Sequence, residues 1–224
     1  MECMSKEKWT AVDQYISEQF IPPDPALESA LQAASTAGLP AINVAPNQGK
    51  LLMLLARAMG ARKVLEIGTL GGYSTIWLAR ALPVDGRLIT LEFDPKHAEV
   101  ATSNIARAGL AHIVNIRLGR ALDSLPHLIA EAPFDLIFID ADKTGYAGYF
   151  QWALKLARKG TLIVADNVVR DGKIIDAESS DENVQGIRRF NDAVAAEPRV
   201  MATAIQTVGS KGYDGLAFVL VTGE

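Results

Sequence analysis

The spacing of apolar residues along the chain changes near residue 61. Before that point, apolar side chains recur at steps of three and four residues, as an amphipathic helix requires: Trp9, Val12, Ile16 and Phe20. Asp24 followed by Pro25 is typical of a capped second helix, which Gly38 ends. A third apolar helix is predicted over about 49–59, ending at Gly60. Residues 1–60 are therefore predicted to form a helical N-terminal extension.

From residue 61 onward, short apolar runs alternate with helical stretches. Strands are predicted at 64–67, 87–92, 113–118, 134–140 and 161–166, and helices at 74–81, 95–108, 121–131 and 145–157. The helix at 95–108 has the clearest boundaries, with Asp94 as cap, Pro95 at its first position and Gly109 after its end. Such alternation predicts right-handed crossovers and a mostly parallel sheet with helices on both faces.

The last part of the chain has a different pattern. A helix near 184–196 is followed by apolar runs at 201–208 and 216–222, with a glycine-rich turn at 209–215 between them. This pattern predicts a C-terminal antiparallel hairpin. A chain of 224 residues suits one well-cored domain, so we expect a single domain over 1–224 with its α/β core at 61–224.

Charge and composition narrow the class of partner. The chain has 22 Lys and Arg against 26 Asp and Glu, a formal charge of −4, and no extended basic run, which disfavours nucleic acid or a membrane surface as partner. Cys3 is the only cysteine, so an internal disulfide and a cysteine-based metal site are excluded. The start lacks the apolar region of a signal peptide, and no apolar stretch is long enough to span a bilayer. We expect a cytoplasmic protein.

A glycine-rich turn joins the first predicted strand to the next helix in VLEIGTLGGYS, residues 64–74. Glycines at this place let the backbone approach a ligand closely, and the helix start offers unpaired N–H groups. Glu92, at the end of the following strand, is placed to accept hydrogen bonds from both hydroxyls of a ribose. An ordinary tight turn is the alternative interpretation.

The glycine spacing does not match the dinucleotide-binding pattern. Thr69 and Leu70 occupy the places where its second glycine is expected, and Glu66 adds negative charge where a pyrophosphate would need positive surroundings. A ligand with a cationic amino group, a ribose and no phosphate fits better. S-adenosylmethionine has these features.

Oxygen-bearing side chains follow two neighbouring predicted strands. Asp140 ends the strand in FIDADK, and Asp166 and Asn167 end the next strand. Ligands of open parallel sheets lie outside the carboxyl ends of the strands, and three such oxygens suit a hard cation: Mg²⁺, Mn²⁺ or Ca²⁺. Ordinary strand-end turn residues are the alternative. The three histidines (His97, His112, His127) are scattered without zinc-ligand spacing.

The ordered stretches VLEIGTLGGYS, LITLEFD, FIDADK, ADNVV and KGYDG resemble the cation-dependent class I S-adenosylmethionine O-methyltransferases, the group that contains catechol and caffeoyl-coenzyme A O-methyltransferases. The resemblance is closest to small bacterial members and covers nearly the whole chain. It implies a Rossmann-like, mostly parallel seven-stranded sheet, a C-terminal antiparallel hairpin and a homodimer.

The resemblance also implies roles for individual residues. Asp140, Asp166 and Asn167 match the metal ligands, Lys143 matches a general base beside the reacting hydroxyl, and Lys143, Asp140 and Asn167 form the implied catalytic set. The implied cofactor contacts are Glu66, Gly68, Thr69 and Ser74 for the methionine part, Glu92 for the ribose, Ala121 beside the adenine, Asp140 for the amine, and Val44. The segment 168–183 stands where the family has its variable substrate loop.

These observations predict metal-dependent transfer of a methyl group from S-adenosylmethionine to a hydroxyl of a small vicinal diphenol of catechol-like, caffeoyl or flavonoid type. A nicotinamide-dependent oxidoreductase would share the sheet, and a nucleic-acid methyltransferase would share the cofactor site. A non-catalytic binding module would need neither the oxygen cluster nor Lys143. The acceptor and the metal stay open among the candidates named.

Overall fold

The structure, a computed structural model, describes the backbone of residues 2–223 and the side chains of residues 5–223. Cys3 lies outside the described side chains, so the expectation about it stays a prediction. The chain forms two compact units: the first contains the residues up to Arg120 together with Gly209–Lys211, and the second contains Ala121–Val208 and the residues from Gly212 onward. The single-domain expectation likewise stays a prediction.

The first unit contains five helices and three strands within the described residues. In chain order they are α1 (Glu2–Phe20), α2 (Pro25–Thr36), α3 (Pro46–Ala58), β1 (Lys63–Ile67), α4 (Tyr73–Ala79), β2 (Arg87–Glu92), α5 (Pro95–Arg107) and β3 (Val114–Leu118). The strands are parallel in the order β3-β2-β1, with Glu66 in register with Thr90. The predicted elements are thus confirmed, with small shifts of their bounds.

Helix α3 begins three residues earlier than predicted. Pro46 occupies its first turn, and the side chain of Gln48 accepts a hydrogen bond from the backbone N–H of Ala45 at 2.9 Å. Proline is favourable at the first helical position because its missing N–H has no partner there. The spacing of apolar residues alone predicts a start at Gly49, because the polar first turn adds no residue to the apolar pattern.

The second unit contains the remaining elements. They are α6 (Ala121–Ser124), a 3-10 turn (Leu125–Glu131), β4 (Leu136–Ile139), a 3-10 turn (Lys143–Gly145), α7 (Tyr146–Leu156), β5 (Leu162–Asp166), a 3-10 turn (Lys173–Ile175), α8 (Glu182–Ala195), β6 (Val200–Gly209) and β7 (Gly212–Val221). The strand order is β4-β5-β7-β6; β4 and β5 are parallel, and β5 and β7 are antiparallel.

Two predictions for this unit need correction. The helix predicted over 121–131 is one α-helical turn followed by a 3-10 segment, because Pro126 cannot donate the backbone hydrogen bond that an α-helix would need there. The hairpin turn predicted over 209–215 is only Ser210 and Lys211, and β7 already begins at Gly212, whose φ is +100°.

The fold class is the predicted one. The described residues contain seven strands, mostly parallel and ending in an antiparallel hairpin, together with eight α-helices. The side chains of β4 are completely buried, and β1 is nearly so. Among the described residues, no helix has the length and apolar character needed to cross a membrane.

Candidate active site

The first unit holds a buried carboxylate at the end of β1. Glu66 is completely buried, and its carboxylate accepts hydrogen bonds from Ser74 Oγ at 2.6 Å, Thr90 Oγ1 at 2.7 Å and Thr75 Oγ1. The hydroxyl of Thr69 lies 2.6 Å from Thr90 Oγ1 and extends this network. Burial of a carboxylate is costly unless hydrogen bonds compensate, so the three hydroxyls hold Glu66 in place.

The glycine-rich loop after β1 is tied to the end of β2. Glu92 Oε2 accepts the backbone N–H groups of Thr69 at 3.2 Å and Leu70 at 2.8 Å, and Glu92 Oε1 accepts those of Phe93 and Asp94, both at 2.9 Å. Leu70 has a φ of +50°, unusual for a residue with a side chain. The carboxylate of Glu92 therefore fixes the loop conformation. Ribose hydroxyls that donate to Glu92 would share its carboxylate with these four backbone N–H groups.

Five of the predicted cofactor residues come together in this unit: Glu66, Gly68, Thr69, Ser74 and Glu92. Gly68 adopts a φ of +100°, a conformation that favours glycine. Val44 is buried in the segment just before α3, and Ala121 begins α6 in the second unit. Their contacts with a cofactor stay predictions.

Thr75 and Thr90 are site residues that the sequence interpretation missed. Thr90 is in register with Glu66 on the adjacent strand, and Thr75 follows Ser74 in the first turn of α4. A polar residue within the apolar run of a buried strand was the available signal for Thr90, since such a group needs a hydrogen-bond partner.

The second unit brings the predicted metal ligands to one edge of the sheet. Ile139 is in register with Ala165 on the adjacent parallel strand, so the next residues, Asp140 and Asp166, lie at the same level. Asn167 follows directly with a φ of +58°, a conformation that asparagine tolerates better than most residues. The predicted side-by-side ending of these two strands is confirmed.

The environment of Asp166 disfavours its negative charge. Only 3% of this residue is exposed, and burial, followed by the nearby charge of Asp140, raises the pKa of Asp166 to about 8. The ammonium of Lys143 opposes this rise. Asp166 Oδ1 accepts the backbone N–H of Asn167 at 2.7 Å, whereas Asp166 Oδ2 and Asn167 Oδ1 have no hydrogen bond within the described residues. A cation would compensate this concentration of carboxylates.

Lys143 is buried and held by two partners. Its Nζ donates to Asp140 Oδ1 at 3.0 Å and to the hydroxyl of Tyr146 at 2.7 Å. The ammonium also lies 4.8 Å from the centre of the Tyr146 ring. An ammonium has three donors, and only two are used by described residues, so a third can reach an acceptor atom of a ligand.

Tyr146, which the sequence interpretation missed, connects the elements of this cluster. Its hydroxyl lies 2.9 Å from the main-chain carbonyl oxygen of Asp166 and 3.2 Å from that of Ile139. Burial, and then the charges of Asp140 and Asp166, raise the pKa of the Tyr146 phenol well above its ordinary value. The phenol therefore stays neutral and accepts from Lys143 while it donates to the end of β5.

The turn that carries Lys143 is fixed by Asp142 and by helix α8. Asp142 Oδ2 accepts hydrogen bonds from Thr144 Oγ1 at 3.0 Å and from the backbone N–H of Gly145 at 3.1 Å. A Cβ at Gly186 would lie 2.2 Å from the carbonyl oxygen of Lys143, so α8 contacts this turn closely. Asp142, to which the sequence interpretation assigned no role, therefore caps the turn.

The predicted metal set contains two carboxylates and one amide. Among the described residues, there is no group of three or more His, Cys, Asp or Glu side chains that could hold a metal ion. The oxygens of Asp140, Asp166 and Asn167 nevertheless have the chemistry that Mg²⁺, Mn²⁺ and Ca²⁺ prefer. Metal binding at this set is considered below as a proposal.

Comparison with known proteins gives a consistent result. The sequence model of the O-methyltransferase family matches residues 21–220. A catechol O-methyltransferase from Niastella koreensis is 57% identical over 220 residues, which are 97% of this chain and 100% of that protein. The match favours methyl transfer over the oxidoreductase alternative.

Solved structures agree with this match. The O-methyltransferase from Bacillus cereus, in complex with SAH, has a TM-score of 0.95 and 60% identity, and the match covers 96% of this chain and 99% of that one. The O-methyltransferase TomG from Streptomyces achromogenes, in complex with SAM, has a TM-score of 0.94 and 53% identity, with 97% and 99% covered. The present chain belongs to the O-methyltransferase family and is an enzyme of that class.

Proposed function

We propose that this enzyme transfers the methyl group of S-adenosylmethionine to one hydroxyl of a vicinal diphenol, with a divalent cation as cofactor. The observation that carries the proposal is the alignment of Asp140 and Asp166 at the ends of adjacent parallel strands, beside the buried ammonium of Lys143. The name of the catechol O-methyltransferase relative and the SAH and SAM bound in similar structures support it.

The first unit offers groups suited to the cofactor. The carboxylate of Glu66, with Ser74 and Thr69 beside it, suits the cationic methionine end, and Glu92 suits the ribose. Negative groups at this site favour a sulfonium donor with an amino group over a phosphate-bearing cofactor. The backbone of the loop, held by Glu92, is already ordered for binding.

The second unit offers groups suited to the cation and the acceptor. Asp140, Asp166 and Asn167 would hold the cation, whose charge would offset the buried carboxylate of Asp166 and the half-buried one of Asp140. When bound, the cation supplies Lewis-acid polarisation of the two acceptor hydroxyls. An acceptor with a single hydroxyl would offer the cation only one of these two oxygens, so vicinal diphenols are the expected acceptors.

Removal of the acceptor proton is the chemical task of Lys143. A phenol with a pKa of ~10 is ionised to about one part in a thousand at pH 7, a cost of roughly 4 kcal/mol for an attack that needs the phenolate. Lys143 Nζ, oriented by Asp140 and Tyr146, would accept this proton while uncharged, or otherwise stabilise the phenolate by donating to it.

The methyl transfer itself is an in-line displacement. The bond from the phenolate oxygen to the methyl carbon forms as the bond from sulfur to that carbon breaks, and the electron pair stays on sulfur in S-adenosylhomocysteine. Holding both reactants in line is expected to supply a large part of the acceleration.

The test is a labelled-methyl assay with catechol and phenol, each with Mg²⁺, Mn²⁺, Ca²⁺ or a chelator. We expect transfer to catechol alone, lost in the chelator. Asp166→Ala should abolish turnover while cofactor affinity, measured by calorimetry, changes little. Glu178→Ala, which removes an exposed carboxylate, is the matched control and should be fully active. Full activity of Asp166→Ala in the chelator would reject the role of the cation.

We also propose that the enzyme is a cytoplasmic homodimer that acts on small molecules, with neither nucleic acid nor membrane as partner. Strand β6 lies at the edge of its sheet, and three of its apolar side chains are exposed: Met201, Ile205 and Val208. Unprotected apolar edge strands tend to pair with another chain. Analytical ultracentrifugation should show a dimer that Ile205→Glu converts to a monomer; a monomeric wild-type protein at micromolar concentration would contradict this.

A further inference from the structure

The turn that follows the predicted metal ligands has an unusual backbone. Arg170 and Asp171 have φ values of +54° and +55°, which residues with side chains rarely adopt. Asp214 Oδ1 accepts the backbone N–H groups of Val169 and Arg170, each at 2.9 Å, and the N–H of Asp171 lies 3.2 Å from the carbonyl oxygen of Tyr213. Such a conformation persists only where the surroundings enforce it, and it often marks a functional site.

The side chain that this turn presents is half-buried and has one buried donor without a partner. Arg170 Nε is buried and has no hydrogen bond within the described residues. The carboxylate of Asp181 is near enough for the charge of Arg170 to act on it, but the two form no described ion pair. A guanidinium carries five donors in a rigid plane. Because a buried donor without an acceptor is unfavourable, a bound ligand with an acceptor atom at this place would be stabilising.

Arg170 also belongs to the electrostatic environment of the proposed acceptor site. It follows Asn167 by three residues, a separation that the backbone spans in at most about 11 Å. Its charge also acts on Tyr146, whose pKa is raised by burial and then by Asp140. Tyr146 in turn contacts Lys143. An anion beside Arg170 would therefore lie close to the residues that are proposed to hold the cation.

We propose that Arg170 binds a carboxylate carried by the acceptor, so that the preferred substrates are vicinal dihydroxy aromatic acids. This inference rests on the proposed function and names its substrate class. The planar guanidinium matches a carboxylate through two parallel hydrogen bonds, and the ordered turn limits the entropy lost on binding. In the alternative, Arg170 only balances the charge of Asp140, Asp166 and Asp214. This alternative predicts the same kcat/KM for charged and neutral acceptors.

The experiment compares acids with their uncharged amides. The probes are 3,4-dihydroxybenzoate and 3,4-dihydroxycinnamate, which place the carboxylate at two distances, together with the two corresponding amides. The wild-type enzyme should methylate at least one acid with a kcat/KM about tenfold to a hundredfold above that of its amide, since a hydrogen-bonded charge pair contributes this much. Arg170→Gln should remove this preference, because it should lower the kcat/KM of the acids about tenfold to a hundredfold more than that of the amides.

Two further variants distinguish binding of the substrate carboxylate by Arg170 from a general effect of removing a positive charge. Lys173→Gln removes the same charge from an exposed position of the same loop and should keep the wild-type preference. Arg170→Lys keeps the charge but loses the planar donor pair, so it should lose most of the preference, with a smaller effect on the amides than on the acids. Retained turnover of the amides shows that each variant is folded.

Several results would overturn the proposal. The first is equal kcat/KM values for acids and amides in the wild type. The second is a loss of kcat/KM in Arg170→Gln and Arg170→Lys that is equal for acids and amides. The third is a loss of the preference for acids in Lys173→Gln as large as that in Arg170→Gln. In each of these cases methylation of the amides would leave the proposed function intact. A wild-type enzyme that methylates none of the four diphenols with any of the three cations would instead reject the proposed function, and the inference with it.

Discussion

Replacing Gly186 with alanine is expected to slow the enzyme by displacing Lys143, although Gly186 makes no contact through a side chain. Helix α8 approaches the turn at Lys143 so closely that a Cβ at position 186 would lie 2.2 Å from the carbonyl oxygen of Lys143 and 2.9 Å from the Cα of Thr144. Carbon atoms in contact are normally about 3.5–4.0 Å apart. The two backbones must therefore separate by roughly 1 Å.

Two energetic effects oppose each other in this variant. Alanine is favoured over glycine within a helix by about 0.5–1 kcal/mol, whereas overpacking typically costs about 1–3 kcal/mol. Because both groups in contact are backbone, neither can rotate away, and overpacking should dominate. We expect a net loss of about 1–2 kcal/mol in the free energy of unfolding. A displacement of about 1 Å at Lys143 can also lower kcat by up to about a hundredfold.

Gly148→Ala is the matched control. Gly148 lies within helix α7, and its added Cβ would meet only the end of the flexible Leu122 side chain, at 3.2 Å. This variant should be as stable as the wild type or slightly more stable, with normal kcat. Urea unfolding and initial rates with catechol would measure both variants. If Gly186→Ala has the stability and kcat of Gly148→Ala, the proposed positioning of Lys143 by α8 is wrong.

Three further predictions concern other contacts. Tyr146→Phe removes the hydroxyl that joins Lys143 to the end of β5, so urea unfolding should show a loss of about 1–3 kcal/mol, and kcat should fall at unchanged cofactor affinity. Thr75→Val removes one of the hydroxyls that bind Glu66, so calorimetry should show weaker cofactor binding. Arg80 donates to Asp24 and holds the pKa of that carboxyl below its usual value of ~3.9. Arg80→Gln should therefore be less stable than the wild type above that pH, and the difference should vanish as the pH falls through the lowered pKa.

Each of these has a result that would contradict it. Wild-type kcat in Tyr146→Phe would show that the phenol does not position the lysine. An unchanged cofactor dissociation constant in Thr75→Val would separate the Glu66 network from binding. A stability difference between Arg80→Gln and the wild type that stays constant from pH 7 to pH 2 would exclude Asp24 as the group that titrates.

Local sequence patterns predicted much of the fold. Strand β2 was predicted with its observed bounds, and the cap and proline of α5 were correctly identified, because Asp94 binds backbone N–H groups only two and three residues away. The predicted edge that gathers Asp140 and Asp166 was also correct, since two parallel strands must end on the same side. Such features depend on neighbouring residues or on the direction of the chain, and both can be inferred from the sequence.

Contacts between distant residues were not predictable in the same way. Arg170 depends on a turn held by Asp214, and the turn at Lys143 depends on the close approach of Gly186. No periodicity links these positions, because helix packing and strand order bring them together. The sequence by itself determined the secondary structure, the family and the polar residues available for chemistry. Only the tertiary structure decided which of them are buried, paired or left without a partner, because burial and hydrogen bonding follow from packing between elements far apart in the chain.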